Sequence, residues 1–495
     1  MPISLIACVV KHRNKLVIGK NNDLLVRLQK DMVFFKNITS NQVQEELPNI
    51  VLMGRNTYYS IPAEYRPLKN RLNFVLTKDP VYLKKYPLPK KIKNLSTDNV
   101  YFITLLQFQD FYTEFNPNVF VIGGGQIYEM FLHNDKFPIE KMYITEVNGL
   151  KITDETNLIT MPHFDYRYKL IGYSEKHTTH NNNISYRILT YKYTNQGSQE
   201  HLYFDLASNI LKNGKEREDR TGTGTISLFG TQLRFDISQS IPLLTTKQVP
   251  FKAIVEELLW ILQGNTDAKI LDKRGVKIWN SNTSREFLDN RGLEHYPEGV
   301  LGAGYGFQLR FQGAKYSPAF ADTSKCDTSK IGGIDQLQYI QDLLLNDPFS
   351  RRIMFSYWNP SDFDKTALLP CHVMCQFYVT EEKGEKYLSC MFTMRSNDGF
   401  LGNPFNLVFY SLLTYILAKR CNMKPKELVY TCGDTHLYKN HLTKVKEQLT
   451  RVPRPLPCVK LDESIKTKDW KDITYEDFEL IGYFSHPSIK APMAI

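Results

Sequence analysis

The chain has 495 residues, about three average domain lengths, so two or three cores fit within it. With 42% hydrophobic and 23% charged residues, and with Gly 27 and Pro 24, it is neither a disordered chain nor a collagen-like or Pro-rich one. The net charge of +10 is uneven: residues 1–195 hold 25 basic and 17 acidic side chains (+8), and residues 196–495 hold 37 and 35 (+2).

A basic half suits anionic ligands or nucleic acid. No nucleic-acid-binding motif accompanies the charge, and Lys84, Lys85, Lys90, Lys91 and Lys93 read as a solvated surface. The longest mostly apolar stretch, Leu407 to Ala418, contains Tyr, Ser and Thr and is too short to span a bilayer. The opening MPISLIACVV lacks a basic lead-in and reads as a strand, and the closing APMAI carries no lipidation signal. Eight cysteines without a Cys-x-x-Cys pair, and no His-Glu-x-x-His, argue against a metal site and a disulfide scaffold. Reduced thiols in a cytoplasmic compartment are expected.

In chain order, strands are predicted over 3–10, 49–54, 72–77, 118–124, 141–147 and 185–193, runs rich in Val, Ile and Tyr bounded by Asn, Pro or Gly. Helical stretches such as Lys30 to Ile38 and Gln126 to Phe131 lie between them. That alternation implies an α/β sheet, mostly parallel. The polar segment 195–199 precedes a helical run from His201, so a first domain over 1–194, a short linker and a second domain over 200–495 are expected. All four tryptophans fall after this seam, and the halves share no motif.

Within the first half, Val121-Ile-Gly-Gly-Gly-Gln-Ile-Tyr128 sets three glycines between a strand and a helix. They suit a close pyrophosphate at a helix N-terminus, and equally a structural turn. Arg55 and Thr57 follow one strand and Thr77-Lys78 another, where a guanidinium can grip a phosphate. Asp31 sits in a largely apolar run, Leu24 to Phe35, and could hold a protonated or amidine-like group. The pieces ISLIACVV, IGKNNDL, NIVLMGRNTYYSIP, RPLKNRLNFVLT, VIGGGQIYEMFL and MYITEV, in this order, resemble the dihydrofolate reductase family over residues 3–193. The resemblance implies that Asp31 binds the pterin and aids its protonation, supported by Thr145. It implies that Phe35 and Ile61 flank the folate and that Arg71 pairs with its glutamate carboxylate. Arg55, Thr57, Thr77, Lys78, Gly124, Gly125 and Tyr128 would line an NADPH site, Arg55 favouring the extra phosphate. Two departures stand out: Leu25-Val26 where the family has Pro-Trp, and Tyr58 where it has Trp.

The second half places Cys371 between Pro370 and His372. Arg220, Arg351, Arg352 and Arg395 could ring a phosphate dianion and depress the thiol's pKa, although paired arginines are usually solvated and a lone Cys is usually a small buried side chain. Glu257 lies in the apolar run Ala253 to Leu262, where a carboxyl has a raised pKa and could shuttle protons; Glu256 reads as facing solvent. Asn406 could cap the apolar helix 404–418. His436 and Tyr438 set two hydrogen-bonding rings on one face.

From residue 200 onward, DRTGTGTISLFGTQLRF, PLLTTK, VEELLWILQGNT, RRIMFSYWNP, LPCHVMCQFYV, MRSNDGFLGNPFN, GDTHLY and HPSIKAPMAI resemble the thymidylate synthase family, an α+β fold. The resemblance implies that Cys371 attacks the uracil ring of dUMP and that Glu257 manages protons. Arg220, Arg351, Arg352, Arg395 and Ser396 would bind phosphate, with Arg351 and Arg352 coming from the partner of a homodimer. His372 would neighbour the nucleotide, Asn406 would read the pyrimidine edge, and His436 and Tyr438 would hold the ribose. Trp279, Asn282, Tyr305 and Asp398 would face methylenetetrahydrofolate, and Ile495 would close over the ligands. Met394, Asn403 and Leu309 depart from the family pattern. Together the resemblances imply a bifunctional enzyme of dTMP synthesis, or alternatively an active synthase carrying a degenerate reductase domain as a binding or assembly module.

Overall fold

The computed structural model describes residues 2–493 apart from 45–46, 90–91, 135 and 180–182. The chain forms two compact units, Met1–Gly197 and Ser198–Ile495. Among the described residues no helix is long and apolar enough to cross a membrane.

The first unit is built on a mixed sheet. Its main path runs Tyr168–Tyr173, Ser185–Tyr193, Ile139–Asn148, Ile3–His12, Val119–Gly123, Ile50–Gly54, Leu72–Leu76 and Val100–Ile103. The first two pairings are antiparallel and the remaining five parallel, the mostly parallel sheet expected from the sequence. Continuous apolar runs such as Val51 to Met53, all 0% exposed, follow from a sheet covered on both faces. Leu105–Phe115 begins with a capping box between Thr104 and Gln107 and ends on Asn116 in the left-handed region, so its own sequence sets both ends. Further strands at Lys15–Lys20, Val100–Ile103, Leu158–Met161 and Tyr168–Tyr173 do not stand out in the sequence. They are short or lie at the sheet's margin, where the apolar pattern thins.

The second unit is α+β, as expected. Its six-stranded sheet runs Lys215–Arg217, Thr225–Asp236, Lys424–Tyr438, Glu385–Asp398, His372–Glu382 and Met354–Ser356, antiparallel except between Lys424–Tyr438 and Glu385–Asp398. Helix Gly402–Arg420 packs on it, with Tyr410 stacked on Phe392 at 4.1 Å between ring centres. Helix Phe251–Leu262 carries the fully buried Trp260. Glu200, at the start of helix Glu200–Asn213, accepts the backbone N–H of Thr245 and Thr246, both at 2.9 Å, and their hydroxyls as well. This buried carboxylate ties the helix to the PLLTTK segment.

Asn403 is 0% exposed, and among the described residues neither its amide oxygen nor its nitrogen has a hydrogen-bond partner. An unpaired buried polar group costs about 1–3 kcal/mol. Asn403→Leu, of similar volume, is expected to raise the melting temperature, by roughly 2–4 °C per kcal/mol recovered. A melting temperature that stays put or falls in a differential scan would show that the amide is paired in solution.

Candidate active sites

In the first unit, helix Gln29–Ser40 turns Asp31, Phe35 and Thr39, spaced i, i+4, i+8, to one face and leaves Met32 and Val33 exposed on another. Asp31 is buried at one end, where it accepts the hydroxyl of Thr145 on strand Ile139–Asn148. Burial pushes the Asp31 carboxyl up from the usual aspartate value, and the Thr145 hydrogen bond only partly opposes this. Two turns along, Arg71 donates to the Thr39 hydroxyl at 2.7 Å and the Lys69 carbonyl at 3.0 Å, its guanidinium 5.7 Å from the Phe35 ring centre. Arg71 is 5% exposed and has no carboxylate partner among the described residues. Eight residues of helix separate the two ends by about 12 Å. Phe35 lies between them on the helix, and it and Ile61 pack on one apolar cluster. This helix face therefore offers an acid at one end, an aromatic side chain, and an unneutralised cation at the other. Leu25 and Val26 pack on Val10, Leu28, Val147 and Tyr186 beside it.

The parallel neighbours Val119–Gly123, Ile50–Gly54 and Leu72–Leu76 end at one edge of the sheet, with Gly123 in register with Met53 and Gly54 with Leu76. That edge collects Gly124 and Gly125, Arg55 and Thr57, and Thr77 and Lys78, the carboxyl ends where open α/β sheets bind ligands. A Cβ on Gly124 would stand 3.1 Å from the Thr57 hydroxyl, filling the space between them. Gly125 is glycine for a different reason: a Cβ there would meet the Thr160 carbonyl oxygen at 2.2 Å. Arg55 pairs with Asp79 at 2.9 Å and lies over the Tyr82 ring. Tyr128 is buried and donates to the Ile6 carbonyl at 2.6 Å, so its hydroxyl is committed inside the fold.

In the second unit, Cys371 stands just before strand His372–Glu382. Its N–H donates to the Tyr305 hydroxyl at 2.9 Å, and its sulfur lies 3.7 Å from the Arg395 guanidinium, which also donates to the Pro370 and Leu369 carbonyls at 2.9 and 3.0 Å. The arginines do not bring the thiol below its ordinary value as the sequence reading expects. Burial pushes Cys371 up, and Arg395 and Arg220 only offset part of it. Arg351 and Arg352 are exposed ahead of strand Met354–Ser356 and do not act on the thiol within this chain.

Glu257 lies on helix Phe251–Leu262, accepting the Trp279 indole N–H at 2.9 Å. Burial raises its pKa to about 7, against the pull of that bond. Trp279 continues to Tyr305 at 5.5 Å, and Tyr305 to His372 at 5.3 Å, ring centre to ring centre. Glu256 corrects the reading that it faces solvent: it is buried and pairs with Arg274 at 3.0 Å.

Ser396 and Asp398 stand opposite Asp434 and His436 in the parallel ladder. His436 is held through Nδ1 by Asp434 at 3.1 Å, and its ring lies 5.0 Å from Tyr438. Asp398 accepts the Phe400 N–H at 2.8 Å. Arg220 lies in a turn folded around Asp219, whose carboxylate accepts the N–H groups of Thr221 at 3.0 Å and Gly224 at 2.7 Å. Asn406 is not the cap of its helix, which starts at Gly402; it is the fifth residue and donates to Asn397 at 3.1 Å. Asn282 sits on the short turn Ser281–Thr283, half-buried. Ile495, Lys90 and Lys91 lie outside the described residues. Among those described, no group of three or more His, Cys, Asp or Glu could hold a metal ion.

Sequence reasoning gave no role to Asn397 and Asp434, which hydrogen-bond the candidates Asn406 and His436, or to Asp219, which shapes the turn that carries Arg220. The one available signal was Asp434, two residues before His436 on the same strand face.

The sequence model of the dihydrofolate reductase family matches residues 3–193, and that of the thymidylate synthase family matches residues 201–495. The chain is 40% identical to a bifunctional dihydrofolate reductase-thymidylate synthase of Paramecium tetraurelia over 97% of this chain and 96% of that one. It is 38% identical to bifunctional dihydrofolate reductase-thymidylate synthase 2 of Arabidopsis thaliana over 100% of this chain and 89% of that one. With the Leishmania major protein of the same description it shares 36% over 97% and 93%.

Proposed function

This chain belongs to the bifunctional dihydrofolate reductase-thymidylate synthase family, and on that premise we propose that its two units run consecutive reactions. The second methylates dUMP to dTMP with methylenetetrahydrofolate. The first reduces the dihydrofolate so formed to tetrahydrofolate, with NADPH. We take the domain seam at 195–199 and the compartment as cytoplasmic, where a nucleophilic thiol stays reduced.

The observation that carries the synthase reading is the Cys371 thiol, 3.7 Å from Arg395 and near enough to Arg220 for both charges to favour its thiolate. Its sulfur adds to carbon six of the uracil ring, making the neighbouring carbon nucleophilic enough to take the one-carbon unit. Arg395 lies against the charge that forms as the thiol loses its proton. Arg220 and Ser396 complete the phosphate grip, His372 borders the base, and His436 and Tyr438 take the ribose hydroxyl. Glu257, with a pKa near neutrality, holds or releases a proton at working pH. Trp279, Asn282, Tyr305 and Asp398 face the folate.

The reductase reading rests on the helix face between Asp31 and Arg71. Asp31, backed by Thr145, takes the pterin; Phe35 and Ile61 flank the ring system; Arg71 meets the carboxylate it lacks within the chain. The Gly124–Thr57 gap with Arg55, Thr77 and Lys78 fits NADPH, which supplies the hydride when bound. The intact Asp31–Thr145 pair favours turnover over a degenerate module. The whole reading is tested by supplying full-length protein with dUMP, methylenetetrahydrofolate and NADPH. Both dTMP and tetrahydrofolate are expected; dTMP with dihydrofolate left unreduced would leave only the synthase.

We also propose a homodimer through the synthase unit. Strand His372–Glu382 buries Cys375, Phe377 and Val379 on one face and leaves Tyr378 68% exposed on the other; Phe229 on the same sheet is 89% exposed. An uncovered apolar sheet face suits a second copy. It also gives the exposed Arg351 and Arg352 a site to serve, that of the partner. Co-expressing Cys371→Ala chains with Arg351→Ala/Arg352→Ala chains is then expected to restore about a quarter of synthase activity, by random pairing of two inactive partners. No recovery would place the arginines in cis.

A further inference from the structure

Asn406 is held by Asn397 and neighbours His372. Its Nδ2 donates to Asn397 Oδ1 at 3.1 Å, and its side chain lies near enough to the His372 ring to favour a proton there. Asn397 is 3% exposed on strand Glu385–Asp398, and its own Nδ2 donates to the Tyr430 hydroxyl at 3.1 Å. That hydroxyl contacts Thr435 at 3.1 Å, and Thr435 contacts Thr231 at 2.6 Å. The relay thus crosses from Glu385–Asp398 through Lys424–Tyr438 to Thr225–Asp236.

Its direction is set at the other end. Tyr410 is fully buried, and its hydroxyl has one partner, His372 Nδ1 at 2.9 Å. A buried hydroxyl with one partner donates, because an orphaned donor costs more than an orphaned lone pair. Nδ1 is then the acceptor and Nε2 carries the proton of the neutral ring. Burial keeps the ring neutral, lowering its pKa to about 4. The Nε2–H side of the ring suits the amide oxygen of Asn406, whose Nδ2 faces Asn397. Turning the amide over would set oxygen against oxygen at Asn397 and an N–H toward the ring's own donor.

We infer that Asn397 is a positioning residue which fixes the orientation of the Asn406 amide and so helps select uracil over cytosine. This rests on the proposed reading that Asn406 faces the base. In the fixed orientation Asn406 presents one N–H and one carbonyl lone pair, which match uracil O4 and N3–H. Cytosine presents the reverse pattern, an N4 donor and an N3 acceptor, and an amide meets it only after turning over.

The test is equilibrium binding of dUMP and dCMP to full-length protein. Asn397→Leu, which keeps the volume and removes the acceptor, is expected to lower the dUMP-over-dCMP preference by about tenfold, the worth of one buried hydrogen bond. Asn397→Asp keeps an acceptor toward Asn406 and is expected to retain the preference. Should Asn397→Leu not fold, Tyr430→Phe frees the far end of Asn397 and is expected to move the preference the same way, by about two- to threefold. An unchanged preference in a folded Asn397→Leu, or in Tyr430→Phe where that is the variant measured, overturns the inference. Asn406→Ala separates the two levels. If it leaves the preference intact, the base-reading role itself fails; if it collapses the preference while Asn397→Leu does not, only the positioning role falls.

Discussion

Cys371→Ser is expected to reduce dTMP formation by at least about 10⁴-fold, the scale on which enzymes lose activity without their nucleophile. NADPH-dependent reduction of dihydrofolate should continue at the wild-type rate. Serine matches the shape of the thiol and keeps the backbone N–H on Tyr305, so the site survives while the nucleophile does not. A hydroxyl is far less acidic than a thiol, and here even the thiol is pushed up by burial faster than Arg395 and Arg220 pull it down. The two guanidiniums cannot rescue a group that begins several orders less ionised. The reductase is spared because every residue assigned to it lies within Met1–Gly197. The direct readout is mass spectrometry after incubation with a fluorinated dUMP analogue and methylenetetrahydrofolate. An adduct mapping to Cys371 in the wild type and absent from the variant is expected. Substantial dTMP synthesis by the serine variant would remove the covalent mechanism.

What the sequence made legible was what local pattern and motif encode. Ile3–His12 and Ile50–Gly54 were readable because strands buried on both faces leave unbroken apolar runs. Cys371, Glu257 and Asp31 were readable because each is a chemically odd residue in its local company. The consequences of burial were not. Nothing around Glu256 announces that Arg274, eighteen positions away, will reach it. The acidity expected of Cys371 assumed that charge would outweigh desolvation, and the folded site reverses that order. Asn406 looked like a helix cap because it follows Gly-Asn-Pro-Phe, yet the helix begins at Gly402 and frees the amide for Asn397. Asn397 and Asn406 lie nine residues apart on a strand and a helix, and only the turn between those elements brings them together. Register across a sheet likewise set Asp398 beside His436, which no spacing in one dimension shows.

Asp31→Asn is expected to do the converse of the cysteine variant: reductase turnover falls by about 10²–10⁴-fold, the usual contribution of a positioned acid–base group, and synthase activity stays. The amide keeps the size of the carboxyl and can still accept the Thr145 hydroxyl, so the site is preserved and what is lost is a proton and a charge. The same substitution should stabilise the fold, with a definite pH dependence. Burial raises the Asp31 pKa in the folded protein above its unfolded value. A raised carboxyl is at no disadvantage below the ordinary aspartate range, where both states are protonated. Its penalty builds as pH rises from the ordinary aspartate range toward the folded value, because the unfolded carboxyl ionises there while the buried one cannot, and it is complete once the folded carboxyl ionises. Asparagine has no such penalty. The variant's gain in melting temperature over wild type should therefore be smallest below the ordinary aspartate range, grow as pH rises above it, and level off once the folded carboxyl ionises. Wild-type reduction of dihydrofolate should fall where that gain levels off, as the group that favours pterin protonation loses its own proton. A melting-temperature difference that shrinks with pH would mean that the folded site stabilises the carboxylate, and Asp31 would then be a salt-bridge or hydrogen-bond anchor rather than the acid of the reductase.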